Sequence, residues 1–264
     1  MRASPEGATP RVLVVGCGAL ARELVALTRG LPNVDITCLP ATLHNRPGGI
    51  PAAVRDRIRR RRAAYDRVFV AYADCGTGGL LDHVIEEEGV ERLPGAHCYE
   101  FYAGRPDFAR LTDDEPATFF LTDFLTRNFE RLVWRGLGLD RHPELRDDYF
   151  RNYRRLVYLA QIDDPELVAT ARRAAARLGL AFEHRSTGYG ELGTAILGLG
   201  ARATSTSTAM SARAVVPARA TSSGDVTSRI SVVPARAMSI RDRRPRGSVA
   251  RARGARTVAA GERP

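Results

Sequence analysis

The chain has 264 residues, 44% of them hydrophobic, enough for a sizeable core. All 40 of its basic residues are Arg, against 30 acids, for a formal net charge of +10; from Leu199 to Pro264, 13 Arg face only Asp225, Asp242 and Glu262, a net of +10 as well. Residues 1–198 are therefore neutral, with 27 Arg and 27 acids, which excludes a basic nucleic-acid footprint on that part of the chain.

The exclusive use of Arg, with abundant Ala, Gly and Pro, reflects a GC-rich genome. Met1 to Pro10 hold no apolar run, and no stretch reaches the length of a membrane span. Four Cys, all before residue 99 and none in a CxxC pair, do not form a secreted disulfide framework. These features predict a cytoplasmic protein with reduced thiols and no membrane partner.

After a flexible N-terminus over residues 1–10, Val12–Gly16 predicts a strand, and Ala19–Arg29, with Leu20, Leu24 and Leu27 at helical spacing, a helix. Val34–Leu39 predicts the second strand. Pro51–Tyr65 predicts an Arg-rich amphipathic helix burying Val54, Ile58 and Ala64. Arg67–Ala73 is apolar almost throughout, as suits a strand covered on both faces, and Gly79–Glu88 follows as a helix. A fourth strand is expected within Glu91–Tyr102 and a fifth at Thr118–Leu121.

Phe124–Gln161 then reads as mainly helical, its aromatic residues (Phe129, Trp134, Tyr149, Phe150, Tyr153, Tyr158) serving helix packing. Pro165–Leu178 is a helix capped by Asp163 or Asp164, and Leu180–His184 a last strand. The alternation predicts an α/β fold with a doubly wound, mostly parallel sheet and a helical C-terminal half, one unit over residues 11–198.

From residue 199 to 264 the composition becomes low-complexity Arg, Ala and Ser, with VVPARA at Val215–Ala220 and again at Val232–Ala237. Such a segment cannot offset its chain entropy by burial. It reads either as a disordered extension or as the product of a shifted reading frame near codon 199, the second being slightly favoured.

Ligands of open parallel sheets bind outside the carboxyl ends of the strands. Cys17, Cys38 and Cys75 each fall at such an end, Cys98 lies in or near the fourth strand, and His44 sits in a flanking loop. Thiolate and imidazole form the ligand set of zinc, copper(I), cobalt or an iron–sulfur cluster. Cys17, Cys38, Cys75, Cys98 and His44 are therefore the candidate metal ligands, against the alternative that buried Cys is inert packing. Gly16-Cys17-Gly18-Ala19-Leu20-Ala21 matches G-x-G-x-x-A, but no acid ends the second strand, which counts against a nicotinamide cofactor.

Gly16 and Gly18 still let backbone approach a ligand. Asp74-Cys75-Gly76-Thr77-Gly78-Gly79 is a second glycine-rich turn, with Gly76 and Gly78 placed to offer N–H groups to an anion and Asp74 to orient a partner or cap the helix. A helix N-terminus there would lower the pKa of Cys75, making it the candidate nucleophile with His44 as base. Asn45 shares the loop of His44, and Glu23, one turn into the first helix, faces either this rim or solvent.

With GCGALARE (Gly16–Glu23), LPATLHNRP (Leu39–Pro47), AYADCGTGG (Ala71–Gly79), HCYEFYAG (His97–Gly104) and TFFLTD (Thr118–Asp123) in order, the chain resembles the DUF1638 family over about residues 11–196. The resemblance puts His44, Asn45, Cys75 and Cys98 first among site residues, with Cys17 and Glu23 behind them. It also implies a genomic neighbourhood of corrinoid-dependent methyltransferases and their reactivation proteins, and hence a link to corrinoid or one-carbon methyl transfer.

The leading functional expectation is a cytosolic protein binding a metal ion or metal-containing cofactor at the Cys/His rim. The alternatives are a metal-free thiol-dependent transferase using Cys75, an accessory protein docking a corrinoid methyltransferase through the aromatic-rich segment after Phe124, and nucleic-acid binding by the tail alone.

Overall fold

A computed structural model describes residues 9–201; the expected flexible N-terminus lies outside it except for residues 9–10, and the expected tail except for residues 199–201. In chain order the elements are β1 (Val12–Cys17), α1 (Ala21–Thr28), β2 (Val34–Leu39), α2 (Ile50–Arg61), β3 (Arg67–Ala71), α3 (Leu80–Glu88), β4 (Glu91–Arg92), α4 (Cys98–Ala103) and α5 (Arg105–Asp114). They continue with β5 (Thr118–Leu121), α6 (Asp123–Arg127), α7 (Leu145–Phe150), β6 (Arg155–Ala160), α8 (Pro165–Leu178), β7 (Ala181–Ser186) and α9 (Gly190–Ala201).

The α/β architecture with parallel strands is as the alternation predicted, but the strands divide into two sheets, ordered β2-β1-β3-β4 and β5-β6-β7, all pairs parallel. The division follows from the fourth strand. It stops at Arg92, because Pro94 has no N–H to give a ladder and Gly95 turns the chain at φ 121°. Cys98, expected in or near that strand, instead opens α4.

The segment Phe124–Gln161 also departs from its mainly helical reading, since Arg155–Ala160 is a strand with five consecutive buried residues at the middle of the second sheet. Its aromatic residues do pack rather than line a site: Phe129, Trp134 and Phe150 are buried in the second core, and Phe119 meets Phe150 edge-on at 5.4 Å. Ala64 is exposed, whereas Val54 and Ile58 are fully buried.

The α8 helix shows how local sequence makes these elements. Leu167, Ala171, Ala174, Ala175 and Leu178 give one buried stripe. Asp164 accepts from the N–H groups of Glu166 (3.0 Å) and Leu167 (3.2 Å), and Gly179 ends the helix at φ 75°.

Each sheet carries its own core, and Cys98 touches both. The chain leaves the first sheet at Gly104 and returns through Gly188 and Gly190 into α9, which packs on α1 and α4 and buries Leu192, Ile196 and Leu199 in the first core. The folded chain thus runs past the boundary expected at residue 198. Contacts between α6 and the turn after β1 bring the carboxyl ends of the two sheets to one seam.

Candidate functional site

In the order β2-β1-β3-β4 the chain reverses direction of progress between β1 and β3, the place where an open parallel sheet leaves a crevice beyond its strand ends. Cys17 closes β1 and is buried; β3 is followed there by the fully buried Tyr72 and the half-buried Cys75. The loop after β2 folds back to set His44 beside them, its Nδ1 3.9 Å from the Cys17 sulfur and its ring stacked on Tyr72 at 6.2 Å. Because the Ala41 carbonyl, 3.1 Å away, can only accept, Nδ1 carries the proton. The Nε2 lone pair of His44 is left for a ligand.

Cys98 arrives from the helix α4. Two backbone bonds, Asp74 N–H to Gly95 (3.0 Å) and Cys75 N–H to Ala96 (2.9 Å), tie its loop to the cysteine-glycine turn. The thiols of Cys17, Cys75 and Cys98 lie close enough to feel one another electrostatically, and Cys98 also feels the charge of Glu23. Cys38, next to last in β2, also feels the Cys17 thiol and lies near Arg57. Asn45 is exposed and makes no hydrogen bond to a described residue.

The glycines have structural uses. A Cβ on Gly18 would lie 2.8 Å from the Leu39 carbonyl oxygen and 3.1 Å from the Ala41 nitrogen, and one on Gly16 2.4 Å from Leu24. The room at Gly16 is filled by Leu24 of α1, and that at Gly18 by the protein's own loop after β2, the loop that carries His44 to Cys17. Gly76 lies against Pro47, while the N–H groups of Gly78 and Gly79 donate to the Asp74 carboxylate at 3.1 and 2.9 Å. The Gly78 donor, expected to face an anion, is thus used by Asp74, which caps the turn into α3 and is held below the usual carboxylate range by these bonds and that from Thr77, against the effect of burial.

That capping also corrects the expectation for Cys75. The helix α3 starts at Leu80, too far on for its dipole to act, and the carboxylate beside Cys75 has the wrong sign. Burial first, then Cys98 and Cys17, push the Cys75 thiol well above its ordinary range; Cys98 is pushed to about 12 and Cys17 to about 11, burial again leading. Neutral, desolvated thiols result, which weighs against a metal-free nucleophile at Cys75. His44 is kept neutral by burial.

Cys75 is the single non-glycine residue with positive φ (52°) among those described. Holding a side chain in this region costs roughly 1 kcal/mol. Cys75→Gly is therefore expected to be more stable than Cys75→Ala by about 1 kcal/mol in urea denaturation, the reverse of the order at an ordinary position. An alanine variant at least as stable would show that the turn stores no such strain.

Three residues at the seam carry no sequence signal of their own. Tyr72 and Tyr99 have buried hydroxyls without a well-formed hydrogen bond to any described residue, the Tyr72 hydroxyl lying beside the Cys17 thiol. Asp123, at the end of the second sheet, accepts from the Tyr158 hydroxyl (2.7 Å) and the Gln161 N–H (3.0 Å). Unsatisfied buried polar groups are few in native proteins, so their gathering beside the thiols marks this seam.

A family model described as protein of unknown function (DUF1638) matches residues 38–196, more than half of the chain. The chain belongs to the DUF1638 family. No curated protein and no solved structure matches it. The DUF1638 match takes in Cys38, His44, Cys75 and Cys98, while Cys17 and Glu23 precede it. No described helix is long and apolar enough to cross a membrane.

Proposed function

We propose that this DUF1638 protein binds a metal centre that already belongs to a larger complex, such as a macrocycle, at the rim formed by Cys17, Cys75, Cys98 and His44. One observation carries the reading. Soft donors converge at the ligand position of the fold, yet among the described residues no group of three or more His, Cys, Asp or Glu is placed to hold a metal ion. A bare structural zinc needs about four protein ligands, whereas a metal already held in a macrocycle would need only one or two donors from the protein. Cys98, or the free Nε2 of His44, fits that demand.

The corrinoid connection implied by the family resemblance agrees with this donor set, since corrinoid cobalt is held in such a ring and carries methyl groups. The chain's own part is to supply a desolvated sulfur or imidazole, exclude water through the Tyr72 and Tyr99 rings, and keep the thiols neutral until the metal centre arrives. Enzymatic turnover is not required by any of these features. The full chain, purified without chelator from cells supplied with a corrinoid, is expected to carry cobalt and visible absorption that are lost in Cys98→Ser. A colourless, cobalt-free protein would count against the proposal.

A further inference from the structure

The strand β7 closes the second sheet, and no described strand pairs with its outer edge. The Ala181 N–H donates to the Arg154 carbonyl (3.1 Å) and the Thr187 N–H to that of Ala160 (2.9 Å), so the odd-numbered residues turn their backbone groups toward β6. Phe182, His184 and Ser186 therefore turn theirs outward, and among the described residues none of these groups has a backbone partner. Neighbouring elements lie over the faces of β7 rather than along its edge. Arg172 of α8 stands over the Phe182 ring at 4.6 Å, and on the other face Arg185 looks onto a groove beside Asp107 and Arg110 of α5. Such a row of unpaired donors and acceptors is a template for another strand.

Charged side chains on an edge usually keep other strands away. The order Phe182-Glu183-His184-Arg185-Ser186 instead admits one partner, a second copy of itself. Around a two-fold axis at His184, an antiparallel pair sets Phe182 opposite the copy's Ser186 and Glu183 opposite the copy's Arg185. The outward-turned residues then occupy the hydrogen-bonded positions, each pair exchanging two backbone bonds, while Glu183 and Arg185 fall where side chains lie closest. Moving the axis by one residue sets Glu183 against its own copy, or Arg185 against its own, so charge selects a single register. Within one chain Glu183 already accepts from Arg185 (2.6 Å) and Arg155 (2.9 Å), which holds these side chains at the edge in advance. The outer strand of the other sheet, β2, has no such symmetry: its one charge, Asp35, is paired with Arg11 (2.9 Å).

We propose that β7 is a homodimer interface, joining the three-stranded sheets of two copies into one sheet that is antiparallel at its centre. The interface uses no residue of the Cys/His rim, so it stands or falls apart from the metal reading. Sedimentation equilibrium of the full chain over a range of concentrations tests it. Wild type is expected to dimerise reversibly. R185E, which gathers only acids around the axis, and E183R, which gathers only Arg, are each expected to weaken dimerisation at least about tenfold. An equimolar mixture of the two is expected to dimerise again, because each acid of one chain then faces an Arg of the other. S186P removes an outward N–H without touching the ladder to β6, and is expected to weaken the dimer likewise while circular dichroism stays that of wild type. Wild type that stays monomeric, a dimer indifferent to R185E and S186P, or a mixture of two folded variants that fails to pair overturns the proposal. Should E183R not fold, R185E and S186P decide it.

Discussion

Gly190→Ala is expected to cost at least about 3 kcal/mol of stability. Gly190 opens α9 at φ 49°, and a Cβ there would lie 2.2 Å from the Phe101 carbonyl oxygen and 2.6 Å from that of Tyr102. Both obstacles are backbone of α4, which cannot swing aside as a flexible side chain can. The chain returns to the first sheet through this contact, so pushing it apart also loosens Leu192, Ile196 and Leu199 from their core. Gly179, the left-handed end of α8, gives the control. It too has positive φ (75°), but no atom lies within 4 Å of its would-be Cβ. Gly179→Ala should therefore cost only about 1 kcal/mol, the conformational penalty alone. Chemical denaturation of the two variants checks the contrast; equal costs would show that the α4 contact is not rigid.

Cys98→Ser is expected to weaken binding of a corrinoid probe by at least about 100-fold with little change in folding, since an alcohol is a poor donor to soft metals. Cys98 is the one cysteine that packs against both cores and feels both Cys17 and Glu23. Cys38→Ser, near Arg57, should leave binding nearly unchanged. Visible-spectrum titration of the two variants makes the comparison. Comparable losses in both, or in neither, would remove Cys98 from the site.

Much of the first sheet was legible because its strands are apolar runs that end at glycine-rich turns. Cys17 and Cys75 are placed at strand ends for that reason. The route of Cys98 was not legible, since Pro94 cuts β4 to two residues and a helix delivers the thiol instead. The β6 strand was hidden by the aromatic-rich segment before it, where Leu156 to Leu159 fit a buried helix as well as a strand.

The chemistry was less legible than the positions. A thiolate at Cys75 follows from expecting a helix N-terminus beside it, but α3 starts only at Leu80, and Asp74, one residue away, takes N–H groups of the turn. Tyr72, Tyr99 and Asp123 acquire meaning only across the seam, from partners 35 or more residues distant in sequence or from burial without a partner. No local pattern reports such pairings.

The central claim is that the rim supplies one or two donors to a metal already held in a complex, not a full set to a bare ion. Titrating the full chain with hydroxocobalamin and, separately, with zinc ion tests this directly. The account predicts a one-to-one shift of the corrinoid visible bands that Cys98→Ser abolishes, and only weak zinc binding. Tight stoichiometric zinc binding with no spectral change in the corrinoid would contradict it.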